Sequence, residues 1–170
     1  RMGCSKNQHH FIVKQSLFLK LVIHILERIL LEKKVMVTIK SEQTVDGKPE
    51  NIELITSGEF CKEKDGYKVV YDETEISGMK GTTTTVEVCS DEVNLIRCGT
   101  INAKMKFKKG LRDVSMYSTP YGMLELAVNP SFIDINIDDR GGEINISYSL
   151  EAAGLQTSMN DLYIKIQESQ

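Results

Sequence analysis

Apolar and polar residues alternate one by one along most of this chain. Ile133, Ile135 and Ile137 alternate with Asp134, Asn136 and Asp138. Ile144, Ile146, Tyr148, Leu150 and Ala152 alternate with Glu143, Asn145, Ser147, Ser149 and Glu151. A period of two puts every apolar member on one face of a strand. Between the two runs, Asp139-Arg140-Gly141-Gly142 supplies the positive φ that a hairpin turn needs. Leu162, Ile164 and Ile166 make a closing strand.

Earlier segments carry the same signal. Val37 and Ile39 open a first strand, and Asp46-Gly47 turns it into Ile52, Leu54 and Phe60. Asp65-Gly66 turns that strand into Tyr67, Val69 and Tyr71. Thr82 to Val88 is β-branched, Val93 to Arg97 follows it, and Ile101 to Phe107 ends at Lys109-Gly110. Asp113 to Tyr117 and Met123 to Val128 read as two more strands, separate from Ile133–Ile137. No helical period follows Val35. Short turns between about ten strands predict an all-β domain, a single antiparallel up-and-down barrel of about 8–10 strands.

Charge divides the chain. Residues 1–35 carry +5 and residues 36–170 carry −8, within a net charge of −3. An acidic domain lacks the cationic surface that neutralises phosphates, so nucleic acid is not an expected partner. Lys104, Lys106, Lys108 and Lys109 cluster, but their alternation with Met105 and Phe107 marks the solvent face of a strand. His9, His10 and His24 are the three histidines, so residues 36–170 contain none. Histidine-based nucleophilic catalysis and His-ligated metal sites are thereby excluded from that region, and no metal or other cofactor is expected. Cys61, Cys89 and Cys98 lie in strand-like runs with no CxxC spacing, which fits a reducing cytoplasm.

Residues 1–35 read differently. Phe11 to Leu31 is apolar but broken by Lys14, Lys20, His24, Glu27 and Arg28. A membrane span wants ~20 nearly uninterrupted apolar residues, so none is expected. An amphipathic helix from Leu17 to Lys34 is one reading. The other is that the natural start is Met36, which would make residues 1–35 upstream or vector-derived sequence. The domain is therefore bounded at residues 36–170, with 1–35 as an N-terminal extension.

Four segments are distinctive: Ile76-Ser-Gly-Met-Lys-Gly-Thr-Thr-Thr-Thr85, Arg97-Cys-Gly, Met105-Lys-Phe-Lys-Lys-Gly-Leu-Arg112 and Tyr117-Ser-Thr-Pro-Tyr-Gly-Met-Leu-Glu-Leu126. In this order they resemble the YwiB-like family of small bacterial proteins, a domain of unknown function, over residues 36–168. The resemblance implies a calycin-like, lipocalin-like barrel. It implies no activity and brings no catalytic residues.

Candidate ligand-binding residues follow from position and chemistry. Arg97 and Arg112 stand isolated among apolar residues, where either could point inward and clamp a carboxylate or phosphate. Asp72, Glu73 and Glu75 are their candidate internal partners, and Glu75 is kept as a site residue. Thr83 and Thr85 follow the Ser77-Gly78-Met79-Lys80-Gly81 turn, which could cradle an anion or simply enter a Thr-rich strand. Tyr117 and Tyr121 flank Thr119-Pro120, at a barrel mouth or in a rigid turn. No pair of carboxylates is singled out for catalysis, so an enzyme is not expected. The expectation is a cytoplasmic barrel binding a small anionic or amphipathic ligand. The alternative is a solidly packed interaction module without a ligand. A homodimer is left open.

Overall fold

A computed structural model of the chain describes residues 17–23, 32–45 and 47–169. Residues 17–23 form a short helix. The longer helix expected to reach Lys34 is not formed at its end, where Lys33 and Lys34 lie in a strand. Residues 24–31 of that expectation lie outside the described residues, as do Cys4 and the three histidines.

Ten strands follow: β1 (Lys33–Val45), β2 (Lys48–Glu63), β3 (Gly66–Asp72), β4 (Thr82–Val88), β5 (Glu92–Gly99), β6 (Ala103–Lys108), β7 (Asp113–Thr119), β8 (Gly122–Asp138), β9 (Gly141–Ala152) and β10 (Leu155–Glu168). They form one antiparallel sheet in the order β6-β5-β4-β3-β2-β1-β10-β9-β8-β7. Every strand pairs with a sequence neighbour, and β1 pairs with β10. This is an up-and-down barrel whose two edges, β6 and β7, meet. Edge strands carry unpaired backbone groups, and here some are satisfied across the seam. The Asn102 and Ser118 amides donate to each other's carbonyls at 3.0 and 2.8 Å. The Lys106 amide donates to Asp113 Oδ2 at 2.9 Å. The barrel is nearly closed.

Two strand boundaries depart from the sequence reading. β1 begins at Lys33 rather than Met36 because Val35 shares the inward parity of Val37, and both are fully buried. Lys33 and Lys34 make ion pairs with Glu168 and Glu59. Met123–Val128 and Ile133–Ile137 belong to one 17-residue strand, β8. A bulge between Pro130 and Phe132 interrupts its register. Proline has no N–H to give to a ladder, and a bulge is where a strand tolerates it. The Ser131 hydroxyl donates to the Ser147 carbonyl at 3.1 Å and holds the bulge to β9.

The apolar core fills one end of the barrel. Val35, Val37, Phe60, Val69, Val86, Val93, Phe107, Ile144, Ile146, Ile164 and Ile166 are all buried there. Their registers bring them together: Val37 faces Ile166, Phe60 faces Val69, Val69 faces Val86, and Val93 faces Phe107. Each such burial stabilises the fold by about 1.5–3 kcal/mol. At this end Asp139, in the β8–β9 turn, accepts from Lys62 Nζ at 2.9 Å and the Tyr67 hydroxyl at 2.8 Å. The turn is thus fastened to β2 and β3.

Candidate functional site

The other end of the barrel is hollow. Barrel diameter grows with strand number, and about eight strands already leave an interior that side chains just fill. Ten strands make a wider barrel, and its far half holds a cavity of about 550 Å3. Most of the wall is apolar: Ile39, Leu54, Leu95, Met105, Leu124, Leu126 and Leu162 contribute to it. Phe107 and Tyr148, packed edge to face with centroids 5.0 Å apart, stand between the cavity and the filled end.

One polar row crosses this wall. The ladder registers align Gly58, Tyr71, Thr84, Arg97 and Ala103 across five neighbouring strands, β2 to β6. Two residues beyond Tyr71, just past the end of β3, Glu73 keeps the same inward parity. Its side chain is 2% exposed and that of Arg97 17%. Thr84 Oγ1 donates to Glu73 Oε1 at 2.6 Å. Arg97 Nε lies 3.8 Å from that same oxygen, an ion-pair distance that is too long for a hydrogen bond. Arg97 Nε is buried and has no hydrogen-bond partner. Burial pushes the Tyr71 hydroxyl far above its ordinary range; Glu73 adds to the shift and Arg97 opposes it. Burial also raises Tyr148, again against Arg97. Both tyrosines are therefore neutral hydroxyls at physiological pH.

The connection between β3 and β4 belongs to the site. Ser77, Gly78 and Met79 line the cavity. The segment is internally braced: the Glu73 amide donates to the Thr82 carbonyl at 2.8 Å, and the Ser77 hydroxyl to the Thr74 carbonyl at 3.0 Å. Gly78 has φ 71° and Gly81 has φ 82°, conformations that favour glycine. The segment noticed in the sequence as an anion cradle is thus part of the wall of the hollow end.

Of the seven residues singled out from sequence, two line the cavity, Arg97 and Tyr117. Arg112 lies outside every strand, after the Lys109-Gly110 turn, and pairs outward with Glu151 at 2.6 Å. Thr83 and Thr85 alternate with the buried Thr82 and Thr84, and Thr83 donates outward to Asp72 at 2.8 Å. Glu75 is exposed and paired with Lys80. Tyr121 is fully exposed in the β7–β8 turn, where its amide donates to Thr119 Oγ1 at 3.0 Å. Among the sequence-named partners for Arg97, Glu73 is the one that meets it. Tyr71, Thr84, Tyr148 and Asn160 were not singled out. The two-residue alternation could have found the first two, because Val69 fixes the parity of Tyr71, and Val86 fixes that of Thr84.

Among the described residues, no helix is long and apolar enough to cross a membrane. A family model described as "Domain of unknown function (DUF1934)" matches residues 37–164. The uncharacterized beta-barrel protein YwiB of Bacillus subtilis (strain 168) is 28% identical over 134 residues, covering 78% of this chain and 92% of the relative. The crystal structure of the ywiB protein from Bacillus subtilis matches with a TM-score of 0.74 at 24% identity, covering 82% of this chain and 94% of that one. The resemblance carried by the four sequence segments is borne out, and the solved structure shares the barrel fold.

Proposed function

The chain belongs to the DUF1934 family, and we propose that its barrel is a non-catalytic container for a small amphipathic molecule. The apolar body of the ligand occupies the hollow end, and its polar head meets Arg97. The supporting observation is one guanidinium with an unpartnered Nε on a largely apolar wall around about 550 Å3 of space. Small-molecule sites typically span roughly 300–1,000 Å3 and pair apolar walls with few polar groups.

The non-catalytic part rests on the groups present. Tyr71, Glu73, Thr84, Arg97 and Asn160 offer donors and acceptors, but no nucleophile beside a histidine base. A reducing, cytoplasmic setting suits three cysteines between residues 36 and 170 with no CxxC spacing.

Displacement of a polarity-sensitive dye by decanol tests the container. The expected result is saturable one-to-one binding that is weakened in Ser41→Phe, which narrows the cavity from β1, while the circular dichroism spectrum is retained. No saturable binding, or equal binding to the variant, overturns the reading.

A further inference from the structure

Among the described residues, the lining of the hollow end includes one cation and one anion, close together. Glu73 and Arg97 form an ion pair, and Tyr71 and Tyr148 add neutral hydroxyls. Hydrogen bonding within this group is uneven. Glu73 Oε1 already accepts from Thr84, whereas Arg97 Nε donates to nothing. A buried donor left unmade is costly, and the Arg97 side chain, 17% exposed, lines the cavity, where a ligand oxygen meets its guanidinium. An anionic head would meet the same guanidinium, but it would bring a second negative charge beside Glu73, whose side chain is only 2% exposed. A buried charge without a partner of its own is strongly disfavoured.

We infer that the site selects a neutral carbonyl head, best represented by a primary amide on an apolar chain, over the corresponding carboxylate or phosphate, because Glu73 has already neutralised Arg97. This inference rests on the container reading and adds the chemical class of its ligand. The head's oxygen accepts from Arg97, and its N–H lies on the side of Glu73. Glu73 is then the specificity-determining residue. Without its charge, Arg97 stands alone and the preference reverses.

The test is isothermal titration calorimetry with decanamide, decanoate and decyl phosphate at neutral pH, on the full chain and on Glu73→Gln. Wild type is expected to bind decanamide on the order of tenfold more tightly than either anion, a difference of about 1.4 kcal/mol. Glu73→Gln is expected to invert that order. A wild type that binds decanoate or decyl phosphate as tightly as decanamide overturns the selectivity and leaves the container standing. Binding of none of the three overturns both. The wild-type series decides alone if the variant does not fold, and a folded variant with the wild-type order overturns the role of Glu73.

Discussion

Gly58 stands directly opposite Tyr71, and a Cβ at Gly58 would come within 2.8 Å of both Val37 Cγ2 and the Val70 carbonyl oxygen. One of those neighbours is backbone and cannot swing away. The glycine therefore lets the β2–β3 ladder close where the filled end meets the hollow one. Gly58→Ala is expected to destabilise the barrel by about 1–3 kcal/mol, the usual range for overpacking a tight site. Urea unfolding checks this, and an unchanged midpoint would show that the wall yields.

The seam makes a separate prediction. Asp113 Oδ2 takes the Lys106 amide proton across the β6–β7 gap. In Asp113→Ala that amide loses its acceptor, so its hydrogen exchange should accelerate about fivefold, equivalent to a typical net hydrogen bond of ~1 kcal/mol. Asp113→Asn keeps an oxygen in reach and should exchange like wild type. Equal exchange in wild type and the alanine variant would mean that the seam is closed by other contacts.

Acid titration reads the turn at the filled end. The Lys62 hydrogen bond, then that from Tyr67, holds the Asp139 carboxyl below its ordinary 3.8. A carboxyl depressed by folding stabilises the native state above its unfolded pKa, and that contribution disappears as pH falls through the folded value. The stability difference between wild type and Asp139→Asn should therefore be constant above about pH 5 and shrink below about pH 4. Chemical denaturation at each pH measures it. A difference that grows on acidification would contradict the assigned sign.

The start of β1 also has a measurable consequence. A chain beginning at Met36 lacks Val35, which is fully buried, and the ion pairs of Lys33 and Lys34. Losing that valine alone should cost about 1.5–3 kcal/mol. Equal denaturation midpoints for the two chains would show that the strand does not depend on those three residues.

Most of the wall was legible because alternation needs only contrast between apolar and polar residues. Ile133, Ile135 and Ile137 face inward as read, and Lys104, Lys106 and Lys108 flank the buried Met105 and Phe107. The threonine run lacks that contrast. Thr82 to Thr85 has no contrast within itself, so its parity has to be counted back from Val86 and Val88, and Thr83 and Thr85 are the outward pair. Arg112 follows a turn, where the period of two no longer holds. Residues 32–34 read as the end of the helix from Leu17 to Lys34 because Glu32-Lys33-Lys34 is locally helix-compatible. Pairing of Lys33 and Lys34 with Phe60 and Glu59 of β2 overrides that tendency. The cavity itself could not be read from local pattern, because it depends on how far apart the walls of a ten-stranded barrel stand.

Whether the hollow end is occupied can be measured directly. Native mass spectrometry of the full chain, purified from its source organism without detergent, compares its mass with that under denaturing conditions. The container account predicts a discrete added mass of a small amphiphile that is released on denaturation and reduced in Ser41→Phe prepared in the same way. Recovery of the bare chain mass alone, in protein that also fails to take up decanamide or decanol, would contradict it.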